Sequence, residues 1–181
     1  MKISCNIDGT NYSLSVNSDK PLLQILIDDI GIDAMKSICR GAYCGNCIVL
    51  LDGQAVLSCL VPAFKIQGAT IQTFDSFQKT RFFRDIDRAY IEVGCIPCPQ
   101  CFASKTMIIE SILQTLEKKN AGTENGHLRR VSEIESARRE QERFVIQELT
   151  LNSCTCTESS ELAKVVEVCL NYRRRRNVRR S

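Results

Sequence analysis

Cys39, Cys44 and Cys47 lie within nine residues, CRGAYCGNC, and Cys59 follows after an apolar run and a turn. The order C-x4-C-x2-C with one distant cysteine is the plant-type [2Fe–2S] ligand spacing. A loop around such a cluster must aim three thiolates inward while turning its backbone N–H groups towards the sulfides. Gly41 and Gly45 suit that tight path, because glycine reaches left-handed dihedrals freely. Zinc usually takes paired C-x2-C hooks, so a four-residue gap followed by a two-residue gap favours iron–sulfur.

A second group comprises Cys95, Cys98 and Cys101 in GCIPCPQC, and Cys154 and Cys156 in SCTCT. Spacing alone does not select which four of these five bind. A C-x2-C and a C-x-C hook suit a [2Fe–2S] cluster and a tetrahedral zinc about equally. Cys5 alternates with Ile3 and Ile7, and Cys169 falls on an apolar helical face, so both are expected to be buried, inert thiols. Cys95, three residues before Cys98, is expected to be a packed thiol. The single histidine, His127, sits in a charged stretch away from every cysteine, which excludes a Rieske-type centre. No carboxylate pair in an apolar setting and no phosphate-cradling glycine motif is present.

The elements that must position these thiols follow from periodicity. Ile3, Cys5 and Ile7, an Asp8-Gly9 turn, then Tyr12, Leu14 and Val16 predict a β-hairpin. Leu22, Leu23, Leu26, Ile27 and Ile30 predict a helix capped by Ser18 or Asp19, with Pro21 in its first turn and Gly31 at its end. Ile48–Leu51 and 55–60 flank Asp52-Gly53, a second hairpin that places Cys59 on a strand, and 69–74 supplies another strand. From Asp75 onward Phe77, Phe82, Phe83, Ile86, Tyr90 and Ile91 recur at helical spacing, as do Met107, Ile108, Ile109, Ile112, Leu113 and Leu116. The polar stretch 118–143 is expected to be a surface excursion ending in a solvated helix. Leu162, Val165, Val166 and Cys169 predict a last helix capped by Ser159 or Ser160.

The chain has 181 residues, 44% of them apolar, with a net charge of +3, which suits one large or two small domains. The excess charge gathers in NYRRRRNVRR at the end, expected to be a disordered solubilising tail; nucleic-acid binding is not implied by so short a run. The start has no signal-peptide pattern and no run spans a bilayer, so a cytoplasmic protein without membrane association is expected. Eleven cysteines in such a setting point to metal or redox chemistry and away from structural disulfides.

MKISCNIDG, the segment PLLQILIDDIGIDAMKSICRGAYCGNCIVLLDGQAVLSCLVPA, and the later C-x2-C and C-x-C together resemble a known family. They look like the small iron–sulfur subunit of the xanthine dehydrogenase, aldehyde oxidase and carbon monoxide dehydrogenase (molybdenum hydroxylase) family. The resemblance implies an α+β chain in which residues 1–76 form a plant-type ferredoxin-like β-grasp domain. It implies that 77–172, with the charged insertion at 118–143, form an all-α four-helix bundle, leaving 173–181 as a basic tail. It assigns Cys39, Cys44, Cys47 and Cys59 to a first [2Fe–2S] cluster, and Cys98, Cys101, Cys154 and Cys156 to a second, excluding Cys95. It further implies partner subunits holding molybdopterin and FAD. In the family a glutamine that contacts the molybdopterin precedes the first cysteine of the C-x2-C pair; here that position is Pro97.

The function so implied is electron transfer: from a molybdenum site, through the second cluster and then the first, to FAD. The chain itself would make no bonds. The alternative is a single-cluster ferredoxin-like protein joined to a zinc-stabilised helical binding module.

Overall fold

The computed structural model describes residues 1–36, 44–121 and 131–178. Two hairpins and one short strand make a mixed five-stranded sheet, and helices cover it, so the chain is α+β. β1 (Lys2–Ile7) pairs antiparallel with β2 (Thr10–Ser15), and β3 (Ile48–Leu51) with β4 (Gln54–Leu57). Both hairpins close through Asp-Gly: Asp8 and Gly9 have φ of 51° and 86°, Asp52 and Gly53 of 51° and 83°. Two consecutive left-handed residues give the turn whose twist matches the strands, as the sequence predicts. β5 (Thr70–Gln72) lies between β1 and β3, parallel to the first and antiparallel to the second, in the order β2-β1-β5-β3-β4. The two turn aspartates fasten it. Asp8 accepts from the Thr73 N–H at 2.8 Å and its hydroxyl at 2.7 Å, and Asp52 accepts from the Thr70 N–H at 2.8 Å.

The run Ile48–Leu51 is continuously apolar because both sheet faces are covered there. Val49 and Cys47 join a core with Leu22, Ile25, Leu26, Ile66 and Ile71, whereas Ile48 and Leu50 join a core made of the later helices. The first helix departs from expectation. Pro21 is the extended residue before α1 (Leu22–Gln24), in an isolated bridge with Pro62, and neither Ser18 nor Asp19 caps it. The segment then widens into a π turn, Ile25–Asp29, where the Ile30 N–H donates to the Ile25 carbonyl at 3.1 Å. Gly31, with φ 81°, ends it.

After α2 (Phe74–Phe77) come α3 (Arg81–Val93), α4 (Phe102–Ala121), α5 (Val131–Leu149) and α6 (Ser159–Val178). α3 has an N-cap the apolar pattern did not reveal, the Thr80 hydroxyl accepting from the Phe83 N–H. Ile91, expected on its apolar face, is exposed. Phe74, Phe77, Phe83 and Phe102 meet edge to face where α2, α3 and α4 join. α4 lies on the sheet, its Ser111 Oγ accepting from the Ala55 N–H at 2.9 Å. Much of the expected 118–143 excursion is helix: Lys118 and Lys119 close α4, and α5 begins at Val131.

α6 corrects two expectations. Ser159 and Ser160 both lie within the helix, past its cap position, and the Glu161 carboxylate accepts from the Glu158 N–H at 3.4 Å. The helix also continues into the arginine run. Arg173 is buried between Glu110 at 2.5 Å and Glu117 at 3.2 Å, and Arg176 pairs with Asp85. The disordered end expected from the charge run therefore does not begin at Arg173. Among the described residues, no helix is long and apolar enough to cross a membrane.

Candidate metal centre

Gly94 ends α3 with φ 72°, and the chain then passes Cys95 without regular structure to the turn that starts α4. Cys98 sits before that turn and Cys101 at the mouth of α4, where the N–H groups of Cys101 and Phe102 donate to the Cys98 carbonyl at 3.1 and 2.9 Å. Cys154 and Cys156 come from the link between α5 and α6. The two hooks meet. The sulfurs of Cys98, Cys101, Cys154 and Cys156 all lie within 4.8 Å of one another. Cys98 stands 3.4 Å from Cys101 and 3.8 Å from Cys154, and Cys101 stands 3.2 Å from Cys156. Cys101 is fully buried and Cys156 is exposed, so the group runs from the interior to the surface.

The surroundings favour thiolate at the outer end. Burial opposes ionisation of Cys156, but the Cys98 N–H, at 3.3 Å, and the thiols of Cys101, Cys154 and Cys98 outweigh it and lower its pKa to about 6. Cys98 is lowered by hydrogen bonds from the Cys101 side chain and backbone. Cys101 is raised by burial and by sharing protons with Cys156 and Cys98. Cys95 lies outside the group: it is buried, its thiol donates to Glu161 at 3.7 Å, and burial and then that carboxylate raise its pKa. Cys5 and Cys169 are buried with raised pKa values, Cys169 pushed up to about 12 by desolvation.

Of the first predicted set, Cys39 lies outside the described residues, as do Gly41 and His127. Cys47 leads into β3. Cys59 lies just past β4, on a 3-10 turn (Ser58–Leu60) and not on a strand. Ser58 holds these segments together, its N–H and hydroxyl both donating to the Cys47 carbonyl at 3.0 and 2.8 Å. Among the described residues, Cys44, Cys47 and Cys59 show no convergence comparable to that of the second group.

The two cysteine regions touch through Asn152. Its amide nitrogen lies 3.0 Å from the Gly45 carbonyl, 2.9 Å from Asn46 Oδ1 and 2.9 Å from Ser104 Oγ, and its Oδ1 accepts from the Cys154 N–H at 3.0 Å. Next to it, the Ser153 hydroxyl donates to the Cys44 carbonyl at 3.1 Å. One residue thus contacts the Cys44–Cys47 loop, the start of α4 and the C-x-C hook. Lys105 completes the second group: its ammonium donates to the Cys154 carbonyl at 2.9 Å, to Thr157 Oγ1 at 2.6 Å and to Cys156 Sγ at 3.7 Å. Spacing alone missed both residues. The signals were present, however, as a lone charge in the small and apolar run 103–109 and an asparagine two positions before a cysteine.

Four convergent thiols fit a thiophilic metal group, and their chemistry leaves two choices. At a metal–sulfur bond of about 2.3 Å, a single tetrahedral ion holds its sulfurs about as close as these stand. A two-iron cluster holds them in two pairs, set further apart.

Comparison with known proteins decides the family. No protein-family model matches the chain. It is 30% identical over 117 residues to the xanthine dehydrogenase iron-sulfur-binding subunit of Escherichia coli O157:H7, covering 65% of this chain and 73% of that one. The chain belongs to the small iron–sulfur subunits of the molybdenum hydroxylases. Over nearly its whole length it is 25% identical to a nicotinate dehydrogenase subunit from Pseudomonas putida, covering 96% of this chain and 97% of that relative. The fold agrees with the family: quinoline 2-oxidoreductase from Pseudomonas putida 86 superposes with a TM-score of 0.64, at 22% identity, over 97% of this chain and 96% of that one. An iron–sulfur cofactor and an oxidoreductase role follow from membership.

Proposed function

We propose that this electron-transfer subunit holds two [2Fe–2S] clusters, the first on Cys39, Cys44, Cys47 and Cys59, the second on Cys98, Cys101, Cys154 and Cys156. The observation that carries the reading is the likeness to an iron–sulfur-binding subunit, with four convergent cysteines, tied by Asn152 to the loop bearing Cys44 and Cys47, as the second ligand set. An iron–sulfur cluster passes one electron at a time. This chain's residues would supply ligands, keep Cys101 from water, and fix the two loops against each other.

Molybdopterin and FAD belong, on this reading, to partner subunits, with electrons passing from the molybdenum side through the second cluster and then the first. The domain layout proposed is 1–76, a ferredoxin-like β-grasp unit, followed by a helical unit that begins at 77 and runs past 172 to take in Arg173 and Arg176; the separate cores behind the two faces of β3 support it. Pro97 has no side-chain donor or acceptor, so it cannot make the hydrogen bonds that a glutamine would offer a pterin at that position.

The compact sulfur group favours one competing reading, a single zinc at the second site. Metal analysis separates them. Two clusters require about four irons and four acid-labile sulfides per chain and two EPR signals on reduction. Cys98→Ser and Cys154→Ser should each remove the same one signal, and Cys95→Ser should keep both. One signal with stoichiometric zinc would overturn the two-cluster reading.

A further inference from the structure

Lys105 is only 2% exposed although it carries an ammonium group. It lies one helical turn beyond Cys101, its N–H donating to the Cys101 carbonyl at 2.9 Å, so α4 points its side chain along the sulfur group. The ammonium meets two neutral oxygens, the Cys154 carbonyl and Thr157 Oγ1, and the sulfur of Cys156. Among the described residues, it forms no ion pair with a carboxylate. Burying a cation without an anion is costly. The sulfur within reach is that of Cys156, at 3.7 Å, and through it the shape of the site makes Lys105 the counter-charge of the thiolate group.

A counter-charge at that place does more than hold the C-x-C turn. When a thiolate-bound cluster takes up an electron, the site gains a negative charge, and a fixed cation in a low-dielectric setting stabilises that form over the oxidised one. We propose that Lys105 sets the potential of the second site, raising it above the value the four cysteines alone would give. The proposal rests on the iron–sulfur reading of that site. It makes Lys105 a positioning residue for charge, one that binds no metal itself.

The test is a dithionite titration of the purified full-length protein followed by EPR, on the wild type and on Lys105→Arg, Lys105→Met and Lys105→Gln. The signal lost in Cys154→Ser identifies the second site. Its midpoint should shift downward in the Met and Gln variants and stay near the wild-type value in Arg, while the other signal stays put. Unchanged midpoints in Met and Gln, or an Arg variant shifted as far as Met, overturn the proposal. So does loss of second-site iron from Met and Gln with retention in Arg, which would assign the charge to holding the cluster in place of tuning it. Zinc instead of iron at the second site of the wild type overturns the underlying reading, and it shows before any Lys105 variant is compared.

Discussion

Gly45 packs so closely on the α5–α6 link that a Cβ at this position would stand 2.3 Å from the Leu151 carbonyl oxygen and 2.5 Å from the Asn152 Cα. Both are backbone atoms, so no side chain can swing aside. Its φ of 75° adds a left-handed strain for any other residue. Gly45→Ala should therefore push the Cys44–Cys47 loop away from Asn152 and cost on the order of 2–4 kcal/mol, combining overpacking with backbone strain. Thermal unfolding measures that loss. EPR should show both signals perturbed together, whereas an effect confined to one signal would contradict the shared contact.

Arg173 and Glu110 form a buried pair at 2.5 Å, 3% and 1% exposed, with Phe82 stacked 4.7 Å from the guanidinium. Removing Arg173 strands the Glu110 carboxylate inside the bundle, whereas removing Glu110 leaves Arg173 a second partner, Glu117, at 3.2 Å. Arg173→Met alone should cost about 3–5 kcal/mol and Glu110→Gln less, and replacing both by apolar residues should recover most of the larger loss. Urea unfolding of the two single variants and the double variant tests this. If Arg173→Met proves neutral, the arginine run is solvated after all.

Cys156 should be the most reactive thiol of its group in metal-free protein. With its pKa lowered to about 6, it is mostly thiolate at neutral pH, and alkylation should slow as pH falls through about 6 because the proton returns to the nucleophile. Cys169, pushed up to about 12, should stay unmodified. Mass spectrometry after iodoacetamide treatment at a series of pH values reads both. The same protons compete with metal, so loading at this site should weaken over the same range.

The sequence made the sheet legible because its signals are local: Asp8-Gly9 and Asp52-Gly53 specify turns, and alternation specifies faces. The second cysteine set needed more. Spacing offered five thiols for four places; the family resemblance left Cys95 out, and the fold turns it towards Glu161, outside the group of four. The π turn at Ile25–Asp29 was hidden because a widened turn keeps nearly the same apolar stripe as a regular helix. Arg173 was misread for a different reason. A charge run normally signals solvent, and its partner Glu110 is 63 residues away, so no local pattern could reveal the pairing.

β5 is three residues long and contributed late, yet it lies in the middle of the sheet. Each hairpin can form from its own neighbours, but they become one sheet only when residues 70–72 insert between β1 and β3. A chain that loses this insertion is left with two ribbons, each exposing an unpaired edge where the other should be. Such edges recruit strands from other molecules. The Asp8 and Asp52 side chains that grip Thr73 and Thr70 therefore guard against self-association as well as holding the sheet together.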